Sequence, residues 1–181
     1  MRTVPVGETG RAFTYADLEA LPDDGRRYEL SHGALVVTPA PNTRHQMIAT
    51  AVAALLHTHR LPSQRVLTEA ELLLAPDTVK RPDVQVVDEN LVGAQHVVGV
   101  PTLVVEIHSP ATRALDVTEK RLAYAEHGIA SYWLIDPDER LLTVLQLEDG
   151  TYRQVATVGP DDTVALSQPF TLTVRGRDLL L

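Results

Sequence analysis

The segment TLVVEIH (102–108) is the most continuous β-branched run in the chain, and one carboxylate, Glu106, stands inside it. A run with no polar alternation is what a strand covered on both faces looks like. The fold must therefore place packing elements on either side of it. A carboxylate buried there without a companion costs several kcal/mol or takes up a proton. Side chains alternate along a strand, so His108 shares the face of Glu106 while Val105 and Ile107 point the other way.

The flanking sequence supplies the packing elements. Thr14 before YADLEAL caps a short helix that stops at the turn PDDG (22–25). RRYEL (26–30) and ALVVTP (34–39) read as a hairpin around Ser31, His32 and Gly33. After PAPNTRH a helix spans about 43–60, with Ile48, Val52, Leu55 and Leu56 as its apolar stripe. RVLTEAELLL (65–74) and DVQVVD (83–88) read as strands separated by the loop APDTVKRP. A helix over 112–127 stops at Gly128. SYWLID (131–136) and LLTVLQL are strands around the turn PDER, and Asp149-Gly150 signals a hairpin into TYRQVATV. This order predicts an α/β (α+β) fold, a mixed central β-sheet flanked by helices, with an N-terminal helix and β-hairpin. The length suits a single domain over residues 1–181.

Composition narrows the chemistry. No run of apolar residues is long enough for a membrane span. The N-terminal stretch MRTVPVGETGRAF has no apolar segment of the secretory kind. With no cysteine, disulfides and zinc–thiolate sites are excluded, and a cytoplasmic location is the expectation. The net charge of −8 counts against a protein that coats nucleic acid through a basic surface. It leaves room for a phosphodiester held in a local groove.

Asp83 heads its strand directly after Pro82, near a strand end, where sites commonly form in open sheets. If its strand neighbours that of Glu106, the two acids converge, and a divalent cation is the usual remedy for their repulsion. Oxygen ligands without cysteine favour Mg2+ or Mn2+. On the following helix Asp116, Lys120 and Tyr124 fall at i, i+4 and i+8, one polar stripe, leaving Leu115, Leu122 and Ala125 to face the core. The short loop SPATRAL returns that helix to the strand end, within reach of a lysine that can orient a metal-bound water.

Each residue also has a plainer reading. Glu106 alone is a structural acid neutralised by an arginine, and Asp83 alone is a strand-start turn residue. Lys120 with Asp116 is an exposed helix pair worth tenths of a kcal/mol. Glu29 is an edge acid of the hairpin, Tyr124 a ring capping the core, and His45 a helix first-turn residue. His57 and His59 are solvated, and Tyr132 and Trp133 are packing residues of a core strand.

The ordered set RRYELSHGALVVTPAPNTRH, RPDV, VVEIHSPAT, DVTEKRLAYAEHGI and YWLIDP resembles the putative restriction-endonuclease (Uma-type) family of the PD-(D/E)XK nuclease superfamily, over residues 13 to 147. The resemblance implies an αβ nuclease core in which acids hold Mg2+ for phosphodiester hydrolysis. Asp83 matches the aspartate of the PD motif and Glu106 the acid of the second half-motif. The lysine that ordinarily follows two residues later is replaced by His108, and Lys120 matches a lysine that has migrated to the next helix. Glu29 matches an acid from the N-terminal hairpin, so Asp83, Glu106 and Glu29 are the implied metal ligands. Asp116, Tyr124 and His45 match recurrent polar positions. His108 departs from the apolar residue usual there; orienting water, binding metal, contacting phosphate and hydrogen bonding outside the ligand shell are all open to it.

The expected activity is a Mg2+- or Mn2+-dependent endonuclease, with DNA as the substrate implied by the resemblance. The rival is a non-catalytic dimeric nucleic-acid-binding or regulatory module on the same fold, and a third reading is a phosphodiesterase acting on RNA or a small nucleotide. Exposed sheet edges leave room for a homodimer.

Overall fold

The computed structural model describes residues 2–4, 11–109 and 112–180; residues 110–111 of the SPATRAL loop and most of the N-terminal stretch lie outside the described residues. The elements in chain order are β1 (Arg2–Val4), α1 (Tyr15–Glu19), β2 (Arg27–Ser31), β3 (Ala34–Thr38), α2 (Thr43–His59), β4 (Gln64–Thr68), β5 (Leu72–Ala75), β6 (Thr78–Lys80), β7 (Val84–Asp88), β8 (Val97–Val98) and β9 (Leu103–Ile107). They are followed by α3 (113–126), β10 (Ser131–Asp136), β11 (Leu141–Glu148), β12 (Thr151–Val158), β13 (Thr163–Leu166), β14 (Leu172–Arg175) and a final helical turn, Gly176–Leu179.

Two mixed sheets dominate. The first runs β1-β3-β2-β6-β5-β8 and the second β12-β11-β10-β9-β7-β4, with β13 and β14 forming a small hairpin. The second sheet holds the expected buried strand. In it β9 pairs in parallel with β10 and antiparallel with β7. One face packs under α2, where Ile48, Val52 and Leu56 meet Val84, Leu103, Val105 and Trp133. The other carries Val104, Tyr132 and Leu145 against Tyr124 and Ile129. Cover on both faces is why TLVVEIH shows no alternation.

Local chemistry sets the boundaries. The Asn42 side chain accepts from His45 N at 2.9 Å and caps α2. In the β2–β3 hairpin both central residues have positive φ, His32 at 47° and Gly33 at 76°. A Cβ at Gly33 would stand 2.4 Å from that of Ala12, so the turn needs glycine for space as well as for φ.

Three expectations are corrected. The stretch 65–74 is two strands in two different sheets, β4 and β5. The chain turns between them at Glu69, whose φ is 53° and whose N–H donates to the carbonyls of Pro82 and Asp83. The loop APDTVKRP contains a strand, β6, whose Val79 pairs with Leu30; three residues are too few for a periodic signal. On α3 Leu122, expected to face the core, is 63% exposed, while Asp116, Lys120 and Tyr124 are buried.

Candidate active site

Where β7 and β9 meet, the register that pairs Val84 with Val105 sets Asp83 opposite Glu106. Asp83 Oδ2 accepts from Ile107 N at 2.7 Å, tying the start of one strand to the end of the other. The same oxygen lies 3.1 Å from His45 Nε2 in the first turn of α2. Glu29 comes from β2 in the other sheet, so the site forms where the two sheets and both long helices converge.

Lys120 stands at the centre. Its Nζ is 3.0 Å from Glu106 Oε1, 3.4 Å from Glu29 Oε1 and 3.7 Å from Asp116 Oδ1. Tyr124, one helical turn on, donates from its hydroxyl to Glu106 Oε1 at 2.6 Å. Asp116 Oδ2 is 3.1 Å from His108 Nδ1, and the Tyr132 hydroxyl donates to the Asp116 carbonyl at 2.9 Å. Asp116 to Lys120 form a widened π turn within α3, so both ends of that turn present their side chains to the acids.

All of these groups are buried, and burial decides their electrostatics. Loss of solvent pushes the Glu106 carboxyl well above its ordinary value; Asp83, Asp116 and Glu29 push the same way while Lys120 opposes. For Lys120 burial favours the neutral amine, but Glu106, Glu29, Asp116 and Asp83 outweigh it and raise its pKa, so it remains an ammonium. Burial and the nearby Glu106 carboxylate raise Tyr124, keeping its phenol a donor. Burial alone would lower His45; the hydrogen bond and charge of Asp83 overcome it and raise the imidazole.

Every residue singled out in the sequence is brought to this place. Glu29, His45, Asp83, Glu106, His108, Asp116 and Lys120 line a cleft of about 360 Å³, with Arg27, Arg44 and Arg81 also on its walls, and Tyr124 supports Glu106 from behind. Asp116 Oδ1 is buried without a hydrogen-bond partner. Among the described residues no group of three or more carboxylate or imidazole side chains is arranged to hold a metal ion; the ammonium of Lys120 sits among the acids. Lys80 was missed. It is 0% exposed on β6 and its Nζ donates to Glu119 Oε1 at 2.7 Å, an oxygen that also accepts from the Ser31 hydroxyl. A signal was available: Lys80 and Lys120 are the only lysines in the chain.

The sequence matches the family model of Uma2, described as putative restriction endonuclease, over residues 15–176. The chain belongs to this family. Its fold is similar to that of a solved protein described as a putative nuclease belonging to DUF820 from Anabaena variabilis, with a TM-score of 0.75 and 23% identity over 93% of this chain and 97% of the other. A cryo-electron microscopy structure of a DrdV–DNA complex aligns with a TM-score of 0.34 and 15% identity, over 64% of this chain and 12% of that one. No match is found among curated proteins. In this Uma2 protein Lys120 reaches Glu106 from α3, while the second residue after Glu106 is His108, 3.1 Å from Asp116.

Proposed function

We propose that this protein is a metal-dependent endonuclease that hydrolyses phosphodiester bonds in DNA. The observation that carries the reading is the approach of Lys120 Nζ to acids from two different sheets, Glu106 at 3.0 Å and Glu29 at 3.4 Å, beside the paired strand ends where Asp83 stands. Acids and a lysine around one cleft are the groups that phosphodiester hydrolysis needs to place water and offset charge.

The donor set fits a hard divalent cation. It is all oxygen, it carries more negative charge than one ammonium offsets, and the buried Asp116 Oδ1 beside it has no hydrogen bond, only Lys120 Nζ at 3.7 Å. Asp83, Glu106 and Glu29 would hold Mg2+ or Mn2+, which when bound polarises the phosphate and lowers the pKa of its water. The protein's own groups do the rest. Lys120, kept protonated by its acids, aligns the attacking water and offsets charge developing on the phosphate. Tyr124 fixes the orientation of Glu106. Asp116 fixes the ring of His108, leaving its other nitrogen for the cleft. Arg27, Arg44 and Arg81 line the cleft, ion-paired with Glu69, Asp138 and Glu71, where a phosphate would compete with those acids for them.

The test is cleavage of plasmid DNA with Mg2+ or Mn2+ by wild type, Asp83→Asn and Lys120→Met. Nicking by wild type and none by the variants is expected. Equal nicking by all three would refute the site, and no nicking by wild type would refute the activity. The compensation of three carboxylates by Lys120 is the observation a non-catalytic binding module would rest on. Retention of DNA by wild type with no cutting at any metal concentration would favour that reading.

A further inference from the structure

We propose that Lys80 is a positioning residue: paired with Glu119, it sets the rotation of α3 that aims Lys120 at Glu106. Its consequence for turnover rests on the nuclease reading; its geometry does not. Of sixteen basic residues only Lys80 and Lys120 are lysines, and they are 0% and 4% exposed. The antiparallel register that pairs Leu30 with Val79 sets Lys80 beside Glu29 on the first sheet. On α3 Glu119 directly precedes Lys120. The four charges meet as two opposite pairs, Lys120 with Glu29 at 3.4 Å and Lys80 with Glu119 at 2.7 Å. Ser31, two residues after Glu29 and on the same face of β2, adds a hydrogen bond to Glu119.

Turning α3 by one residue would set Glu119 against Glu29 and Glu106 and bring Lys120 towards Lys80. Like charges at such sites repel, so one rotation is selected over its neighbours. A buried ion pair adds little net stability compared with apolar groups of the same volume, because both partners lose their hydration. What it supplies here is orientation. The π turn interrupts the regular α hydrogen-bond ladder, and its C-terminal end is held from outside by this pair. Lys80 does not line the cleft, so it acts through Lys120.

The two lysines make the test direct. Protein labelled with 15N-lysine gives two side-chain ammonium signals and two lysine backbone amides, and Lys80→Met identifies those of Lys120. In Lys80→Met the Lys120 amide is expected to shift and its ammonium signal to lose protection from exchange. Cleavage of a labelled duplex should lose about tenfold or more in kcat with KM within about twofold, the signature of a misplaced transition-state group. Lys80→Arg, which keeps the charge, should recover most of both. If Lys80→Met does not fold, Lys80→Met/Glu119→Leu, which removes both charges, takes its place with the same expectation. Unchanged Lys120 signals, or unchanged kcat in a folded variant, overturn the proposal. If the wild type cuts no nucleic acid, the nuclease reading fails and the Lys120 signals alone decide whether Lys80 positions it.

Discussion

Lys120 donates from Nζ to Glu106 Oε1 across 3.0 Å, although the two residues are 14 apart in sequence and lie on different elements. The contact answers the problem posed by a carboxylate in a buried strand: Glu106 is 2% exposed and is met by one ammonium and one phenol. Replacing it by glutamine keeps the shape and removes the charge. Breaking a buried pair from one side costs roughly 3–5 kcal/mol. Glu29 and Asp116 still face Lys120, and burial with three neighbouring acids already disfavours the Glu106 charge, so Glu106→Gln is expected to cost less than that range, measured by urea unfolding. DNA cleavage should fall by about a hundredfold or more, since the group lost is one the reaction needs. Cleavage at the wild-type rate would show that Glu106 is only structural.

Lys120→Met separates charge balance from chemistry. The ammonium lies within 3.7 Å of three carboxylates, and it repels any cation that approaches them. Removing it should tighten Mn2+ binding, read by calorimetry or by the loss of the free-ion electron paramagnetic resonance signal, while DNA cleavage disappears. Weaker Mn2+ binding in this variant would mean that the acids do not form the cation site.

Much of this site was legible because its residues sit at positions fixed by simple periodicities. Alternation put Glu106 and His108 on one face, and helical spacing put Asp116, Lys120 and Tyr124 on one stripe. Where the apolar residues off the stripe would go was not legible. A helix with Leu115 and Leu122 off the stripe reads as apolar inward, yet the acids of two sheets draw the polar stripe in and leave Leu122 exposed. Lys80 was hidden for a related reason: β6 has three residues, and a strand so short has no pattern to read. Leu122→Gln should therefore change stability by less than about 0.5 kcal/mol. Ile129→Ala, at a fully buried position, should cost about 2–5 kcal/mol in the same unfolding assay. Equal costs at the two positions would contradict the exposure of Leu122 and the burial of Ile129.

His108 follows Glu106 by two residues, and its Nδ1 is engaged by Asp116 Oδ2 at 3.1 Å. Asp116 is 1% exposed and its other oxygen already lacks a hydrogen bond, with Lys120 Nζ 3.7 Å away. His108→Leu would leave the whole carboxylate without a side-chain hydrogen-bond donor, at a cost of about 1–3 kcal/mol. Asp116→Asn introduced into that variant should recover part of the loss, because an amide is less costly to bury than a carboxylate. Additive losses in a double-mutant cycle would show that the two side chains do not depend on each other.

Tyr152 gives the fold a specific alkaline limit. It is buried against Tyr132, with ring centroids 5.5 Å apart, and its hydroxyl donates to the Ile129 carbonyl at 2.6 Å. Burial raises its pKa above the ordinary 10.0, with Arg121 opposing only in part. A group whose folded-state pKa is raised contributes stability that is complete below the unfolded value and is lost as pH climbs towards the folded one. Stability should thus be level up to about pH 10 and decline above it, because only the unfolded chain releases the Tyr152 proton. Tyr152→Phe should lose about 0.5–1.5 kcal/mol at pH 8 with its hydrogen bond. Above pH 10 it should decline less steeply than wild type, by up to about 1.4 kcal/mol per pH unit, the weight of one proton. The phenols of Tyr124 and Tyr132, also raised by burial, keep the remaining slope from vanishing. Urea midpoints measured from pH 8 to 11 decide it: parallel curves for wild type and variant would mean that Tyr152 ionises as readily in the folded protein as in the unfolded chain.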